Sequence, residues 1–279
     1  RGDDGELVEA AYLPYIETLR ACMRHAGALR IDHVMGLLRL FWVPTGCDAV
    51  QGAYVHYPLD DLLGILALES RRNRCLVIGE DLGTVPDEVR SALAPLGVLS
   101  YRIGWFEKDW QEGTFLPPDR IERQALVSAT THDLPTVAGW WLGVDFVERD
   151  ALGLFPTPEL RERLLAERER DRHALLRALA HAGLLPEGAD DPAACSRPLT
   201  PDLLLAIHAR LARAPSAVML VQLEDVVGQV GQVNVPGTVD ERPNWRHRLP
   251  LTLSALARDP HFVALAGAMR AERSLPVGP

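Results

Sequence analysis

Several common functional signatures are missing from this chain of 279 residues. Its four cysteines, Cys22, Cys47, Cys75 and Cys195, form no C-x-x-C pair, which argues against a zinc ribbon or a thioredoxin-type redox site. Four cysteines in a chain of this length do not suggest a disulfide scaffold, so we expect buried thiols in a reducing cytosol. No apolar run reaches about 18 residues, and no membrane span is predicted.

Signatures of nucleotide, nucleic-acid and metal binding are also missing. No strand pattern is followed by G-x-G-x-x-G or G-x-x-x-x-G-K-[ST], which argues against dinucleotide and P-loop sites. The formal net charge is −9, and the only Lys/Arg-rich stretch is a mixed one at 161–172, so no nucleic-acid partner is expected. No D-x-D-x-D-G calcium loop occurs. We therefore expect no metal and no cofactor.

The residues that are present predict an α/β fold. Hydrophobic residues make up 47% of the chain, enough for a substantial core. Short apolar runs alternate with helical patterns, as in βα units with a parallel sheet. The strands are predicted at 29–32, 75–79, 98–104, 125–131 and 217–223. The helices are predicted at 6–25 with an interruption at Pro14, and at 58–73, 87–93, 158–183 and 200–212, the last with Thr200 as its N-cap.

Acidic residues stand at the ends of three predicted strands: Asp32, Glu80 and Asp133. Because the carboxyl ends of parallel strands gather at one edge, such residues can build one site. Each has an ionisable neighbour: Arg30 and His33 beside Asp32, Asp81 beside Glu80, and His132 beside Asp133. The alternative for each residue taken singly is structural, as a helix cap, a turn former or a hydrogen-bonded core group.

Paired carboxylates of this kind are typical of glycosyl transfer. A retaining enzyme needs one ionised carboxylate as nucleophile and one carboxylic acid as proton donor, about 5–5.5 Å apart. The two environments must keep the acid and the nucleophile distinct. Arg30 lies two residues before Asp32 on a strand, so both side chains point to one side and the guanidinium favours ionised Asp32.

Five segments together resemble one known family. They are RIDH, GLLRLFWVPTG, VIGEDLGTVP, TTHDLPTVAGWW and QVNVPGTVDERPNWRHRLP, and they occur in this order between about residue 10 and residue 250. In order and spacing they resemble the 4-alpha-glucanotransferases, also called amylomaltases or disproportionating enzymes, of the α-amylase superfamily. The resemblance implies a (β/α)8 TIM barrel that transfers α-1,4-glucan segments to the 4-hydroxyl of glucose or another glucan.

The resemblance also implies a role for each site residue. Asp32 is the nucleophile that forms a covalent glucosyl-enzyme, Glu80 is the general acid and base, and Asp133 stabilises the transition state. Arg30 orients Asp32, and His132 hydrogen-bonds the donor sugar. The remaining residues expected to bind substrate are His33, Trp42, Tyr54, Trp105 and Asn234.

Aromatic rings suit sugar binding because sugars present apolar C–H faces. The candidates are Trp42, Tyr54, Trp105, Trp140 and Trp141, and we expect two of these five to contact a sugar. The others are expected to be core residues.

The resemblance places RIDH on the fourth strand of the barrel. We therefore interpret residues 1–279 as the C-terminal part of a catalytic barrel, about strands 4 to 8. Residues 150–214 would be a helical insertion between the seventh and eighth strands. The remaining strands would come from another chain, come from a self-associated copy, or be lost to proteolysis, and little activity is expected of the isolated chain.

The leading interpretation is therefore a cytoplasmic 4-alpha-glucanotransferase acting on maltooligosaccharides and α-1,4-glucans. One alternative is an α-amylase-type hydrolase that uses the same three acids. The other is an inactive fragment that only binds glucan.

Overall fold

The computed structural model of the chain describes residues 12–191, 195 and 197–273. The chain is α/β and divides into two compact units. The first unit comprises Arg1–Tyr101 with Gln124–Leu126, and the second comprises Arg102–Arg123 with Val127–Pro279. Within the described ranges, no helix is both long enough and apolar enough to cross a membrane.

The first unit is built around a pair of parallel strands. Its elements are α1 (Leu13–Met23), β1 (Ala28–Ile31), β2 (Arg39–Trp42), β3 (Ala53–His56), α2 (Leu59–Asn73), β4 (Leu76–Gly79) and α3 (Asp87–Leu93). Strands β1 and β4 pair in parallel, with Ile31 opposite Gly79. Ile78 of β4 also forms a parallel bridge with Leu99. Strands β2 and β3 form an antiparallel pair of their own.

Helices α1 and α2 supply much of the core of the first unit. The core includes Leu19 and Met23 of α1, Leu63 and Leu66 of α2, and Val77 of β4. Leu19 and Met23 are four residues apart in α1, so their side chains project from one face of the helix. This packing holds the β1–β4 pair, and with it the carboxyl ends of both strands.

The second unit contains a short hairpin, most of the helices and part of a three-stranded sheet. Its further elements are β5 (Ser100–Ile103), β6 (Lys108–Asp109), β7 (Thr114–Phe115), β8 (Ala125–Ser128), α4 (Val137–Leu142), α5 (Val144–Ala151), α6 (Pro158–His181), α7 (Pro201–Ala212), β9 (Val218–Leu220), α8 (Leu223–Val226), α9 (Leu253–Leu256) and α10 (Pro260–Glu272). The strand order is β5, β8, β9 in one sheet and β6, β7 in the hairpin. The boundary between the units passes through β5 and β8.

Side-chain caps set the starts of the long helices in the second unit. The Thr157 hydroxyl accepts a hydrogen bond from the backbone N–H of Leu160 at the start of α6. The Thr200 hydroxyl does the same for Leu203 at the start of α7, and proline follows each threonine. The prediction of Thr200 as an N-cap is confirmed.

Three details of the predicted elements need correction. Pro14 lies in the first turn of α1 and does not interrupt it, because the helix begins at Leu13. Residues 6–11 of that predicted helix lie outside the described residues. The antiparallel strands β2 and β3 were not predicted. Strand β9 covers Val218–Leu220, which is shorter than the predicted 217–223.

Candidate active site

Asp32 and Glu80 stand at matching positions of neighbouring parallel strands. Ile31, the last residue of β1, pairs with Gly79, the last residue of β4, and the two acids directly follow this pair. The Glu80 N–H donates to the Ile31 carbonyl at 2.9 Å, so the pairing continues past the strand ends. The sequence alone could place each acid at a strand end, and the structure makes the two strands neighbours.

The Glu80 carboxylate is held by backbone donors. Oε2 accepts the His33 N–H at 2.9 Å, and Oε1 accepts the Leu82 N–H at 2.7 Å. His33 has a φ of 45°, a left-handed conformation that is uncommon for a residue with a side chain. This turn aims the N–H of His33 at Glu80, so the peptide group of His33 is part of the site.

Asp32 is paired with Arg30 and open to solvent. Arg30 Nη2 lies 2.8 Å from Asp32 Oδ1, and the Asp32 side chain is 76% exposed. The Arg30 guanidinium also lies over the Tyr101 ring, 5.6 Å from its centroid. The predicted Arg30–Asp32 contact is therefore present, and the aromatic ring gives the guanidinium a second contact.

Asp81 is a structural partner of this site that sequence reasoning did not single out. Its Oδ1 accepts the Tyr101 N–H at 2.9 Å, and its Oδ2 accepts from Arg90 Nε at 3.0 Å and from the Ser100 hydroxyl. Asp81 is buried. The adjacent acids Glu80 and Asp81 were the sequence signal for a structural role of Asp81, because the side chains of adjacent residues on an extended chain point to opposite sides.

In the second unit, Asp133 lies in the loop between β8 and α4. Its Oδ1 accepts from Asn234 Nδ2 at 2.6 Å, and its Oδ2 lies 3.1 Å from His132 Nε2. The Asp133 N–H donates to the Thr131 hydroxyl at 3.2 Å. Asn234 and His132, both predicted site residues, are therefore direct partners of Asp133.

Two further residues at Asp133 were missed. Gln232 Nε2 donates to the Asp133 carbonyl at 2.9 Å and to the Asn234 carbonyl at 2.5 Å. The Trp245 ring lies 5.1 Å from the His132 ring, is largely exposed, and sits at a φ of 62°. Both residues lie in the segment QVNVPGTVDERPNWRHRLP, but nothing in its local pattern distinguishes them from loop residues.

A buried carboxyl group supports the loop that carries Asp133. Asp225 Oδ1 accepts the backbone N–H of Val137, the first residue of α4, at 2.7 Å. The Thr136 hydroxyl donates to the Gln229 carbonyl at 2.6 Å. Burial raises the pKa of Asp225 to about 7. Burial lowers the pKa of His208, whose Nε2 lies 3.9 Å from Asp225 Oδ2.

With this geometry established, comparison with known proteins decides the family. The family model described as 4-alpha-glucanotransferase matches residues 4–253. The chain belongs to this family. The 4-alpha-glucanotransferases of Mycobacterium tuberculosis and Haemophilus influenzae are each 41% identical to it, over 97% and 87% of this chain respectively. The resemblance inferred from the sequence is confirmed.

The chain also resembles solved structures of amylomaltases. It superposes on amylomaltase from Corynebacterium glutamicum with a TM-score of 0.86 and 32% identity, over 94% of this chain and 38% of that one. A Streptococcus agalactiae amylomaltase shares the fold at a TM-score of 0.65 and 18% identity. The chain spans 37% of the length of its Mycobacterium tuberculosis relative and 34% of its Haemophilus influenzae relative.

Five aromatic residues were expected to include the sugar contacts, and they fall into an exposed and a buried group. Trp42 and Tyr54 are exposed on the β2–β3 pair. Trp105, Trp140 and Trp141 are buried, and the Trp105 and Trp140 rings stack with centroids 4.2 Å apart. Trp105 is therefore buried in this structure, with one face of its ring covered by the neighbouring indole, and its expected sugar contact stays a prediction.

One cluster of potential metal ligands includes none of the predicted site residues. Glu169, His173 and Cys195 bring ligand atoms within 4.8 Å of one another. His173 Nδ1 faces Cys195 Sγ at 3.5 Å, whereas its Nε2 faces Glu169 at 3.4 Å. The cysteine and the glutamate therefore contact different ring nitrogens of His173.

Proposed function

We propose that this chain carries the catalytic carboxylates of a retaining 4-alpha-glucanotransferase. The observation that carries the proposal is the placement of Asp32 and Glu80 directly after a paired position of two parallel strands. Neighbouring strands lie about 4.8 Å apart, close to the carboxylate separation of about 5–5.5 Å that retaining enzymes use. Family membership agrees with this chemistry.

Asp32 is the proposed nucleophile. Its exposure leaves the carboxylate accessible to the anomeric carbon of a donor sugar. The ion pair with Arg30 at 2.8 Å orients the carboxylate. Attack on the donor sugar forms a glucosyl–Asp32 ester and releases the shortened glucan.

Glu80 is the proposed general acid and base. The two backbone N–H donors fix the carboxyl group, and each oxygen retains a second lone pair that can carry the proton. In the first step the proton goes to the leaving glycosidic oxygen. In the second step Glu80 takes a proton from the 4-hydroxyl of the acceptor glucan, which then attacks the ester.

Asp133 is the proposed transition-state stabiliser. Its carboxylate, held by Asn234 and close to His132, provides negative charge for the oxocarbenium-like sugar. His132 and Asn234 are also proposed to hydrogen-bond the donor sugar. Gln232 fixes the Asp133 main chain, so it acts on the geometry of the loop.

The proposed substrates are maltooligosaccharides and α-1,4-glucans. The amylomaltase from Streptococcus agalactiae was solved in complex with acarbose, which supports a glucan-like ligand for the fold. Of the five aromatic candidates, Trp42 and Tyr54 are exposed enough to stack on sugar rings, and His33 lies next to the nucleophile. Transfer to a glucan rather than to water requires that an acceptor sugar exclude water from the ester.

For the architecture, we propose that residues 1–279 form about strands 4 to 8 of a (β/α)8 barrel, with 150–214 as a helical insertion between the seventh and eighth strands. The alternation of short strands and helices supports this proposal. A further polypeptide segment or a second copy of the chain would complete the barrel. Under this proposal the isolated chain has little activity.

The experiment is an assay of maltotriose conversion. The chain is tested alone and as a replacement for the corresponding segment of the Corynebacterium glutamicum amylomaltase. We expect the chimera to produce glucose together with longer maltodextrins, and the isolated chain to produce little of either. Rapid turnover by the isolated chain would contradict the proposed architecture.

Substitutions in the active chimera test the assignment of the carboxylates. Asp32→Asn and Glu80→Gln are each expected to lower the rate by about 10²–10⁴-fold. Asp48→Asn, in the loop between β2 and β3, is the matched control and should retain the rate. If glucose and maltose accumulate without longer products, the chemistry is hydrolysis. If the chimera binds maltotriose without converting it, the enzymatic proposal fails.

A further inference from the structure

The β6–β7 hairpin holds one tryptophan out from the second unit. Asp109 Oδ1 accepts the N–H groups of Gln111 at 2.9 Å and Glu112 at 3.0 Å, and the Gly113 N–H donates to the Asp109 carbonyl at 2.8 Å. Gly113 has a φ of 66°, which the turn requires and which glycine adopts without strain. The turn is therefore well fixed, and Trp110 at its tip remains 65% exposed.

A cavity of about 650 Å³ lies between this hairpin and α6. Its volume falls within the range of roughly 300–1,000 Å³ that is typical of ligand pockets. Trp110, Gln111 and Glu112 line it from the hairpin. The residues that line it from α6 are Glu167, Arg170, Asp171, His173 and Arg177.

A partly buried ion pair connects the two walls of the cavity. Lys108 Nζ of the hairpin pairs with the Asp171 carboxylate of α6. The same Nζ lies 5.2 Å from the centroid of the Trp110 ring, within the range of a cation–π contact. The hairpin is thus tied to the helix, and the indole is oriented before any ligand arrives, which reduces the entropy lost on binding.

The lining favours an uncharged ligand rich in hydroxyl groups. Its cations, Lys108, Arg170 and Arg177, equal its carboxylates in number, the latter being Glu112, Glu167 and Asp171. A balanced lining attracts neither an anion nor a cation strongly, but it offers both donors and acceptors to neutral hydroxyls. The exposed indole adds a flat apolar surface, which suits the C–H face of a sugar ring.

We propose that Trp110 and this cavity form a second α-glucan-binding site, made of residues other than the proposed catalytic carboxylates. The inference rests on the proposed function for the identity of the glucan. A second contact raises the local concentration of a long glucan at the enzyme, because two linked binding events reinforce each other. The site would therefore serve polymers such as glycogen more than short maltooligosaccharides.

Affinity electrophoresis of the purified 279-residue chain in gels that contain glycogen tests the proposal. We expect glycogen to retard the wild-type chain. Trp110→Ala should weaken the apparent affinity about tenfold, or about 1.4 kcal/mol, and Arg170→Ala should weaken it in the same direction. Trp110→Phe should retain most of the affinity, since it keeps an aromatic face.

Arg163→Ala is the matched control, because Arg163 is an exposed residue of α6 that does not line the cavity. The proposal is overturned if the wild-type chain is not retarded, if Trp110→Ala migrates like wild type, or if Arg163→Ala weakens retardation equally. Because the gel measures binding alone, its result is independent of the maltotriose assay. The second site and the proposed function can therefore fail separately.

Discussion

Replacing Asp225 by asparagine should change how the stability of the second unit depends on pH. Asparagine keeps an Oδ1 acceptor for the Val137 N–H but cannot ionise. Asp225 is almost fully buried, and burial raises its pKa from 3.8 to about 7. The folded protein therefore retains a proton that the unfolded chain releases at much lower pH.

The size and sign of the effect follow from the raised pKa. Stability is lost as pH rises above about 4, because the unfolded carboxyl ionises and the folded one does not, and the loss levels off above pH 7. A shift of about 3 pKa units corresponds to about 4 kcal/mol at most. Between pH 5 and pH 8 the loss amounts to about 2.5 kcal/mol.

His208 must be separated from this effect. Burial lowers its pKa, so its contribution to stability is lost as pH falls below its unfolded value of 6.5, in the opposite direction. Glu224, next to Asp225, contributes to the raised pKa through charge repulsion. Both groups are present in wild type and in Asp225→Asn, so the difference between the two proteins reports on Asp225 together with its contact to His208.

Urea denaturation followed by tryptophan fluorescence measures this difference. Five of the six tryptophans lie in the second unit, so the signal reports mainly on that unit. The free energy of unfolding of Asp225→Asn, relative to wild type, should increase by about 2.5 kcal/mol from pH 5 to pH 8. A difference that stays constant with pH, or that has the opposite slope, would refute the assignment of a raised pKa to Asp225.

Three further predictions concern packing, capping and the site. Leu66→Ala should destabilise the first unit by about 2–5 kcal/mol because Leu66 is buried. Leu68→Ala, at a half-exposed position of the same helix, should cost under about 0.5 kcal/mol. Urea denaturation measures both free energies of unfolding. Thr200→Ala should lower the free energy of unfolding by about 0.5–2 kcal/mol through loss of the N-cap, and Thr200→Ser should restore most of it. In the active chimera, Asn234→Asp should slow transfer more than Asn234→Ala, since it sets a second carboxylate against Asp133 Oδ1; equal rates would argue against that contact.

Much of the fold could be predicted because the signals are local. The limits of α2, α3, α6 and α7 agree with the sequence patterns to within two residues, since caps, prolines and apolar spacing act within one helical turn. The β2–β3 pair and the β6–β7 hairpin were not predicted. Their strands are only two to four residues long and carry no clear alternation of apolar and polar residues.

The candidate site was predictable as a set of residues but not as a set of contacts. Asp32, Glu80 and Asp133 could be named because each follows a recognisable apolar strand. The partners of Asp81 and of Gln232 could not be predicted, because they lie far along the chain: Asp81 binds the N–H of Tyr101, and Gln232 binds a carbonyl 99 residues away. Such hydrogen bonds leave no local pattern.

The sequence by itself determined the α/β class, the family and the acids at the strand ends, because these depend on local spacing and on the order of motifs. Only the tertiary structure decided that β1 and β4 are neighbours in register, which sets Asp32 beside Glu80. It also buried Trp105 and left Trp110 exposed. Pairing and burial depend on residues that are distant in the chain, and for that reason one tryptophan is buried and another is exposed.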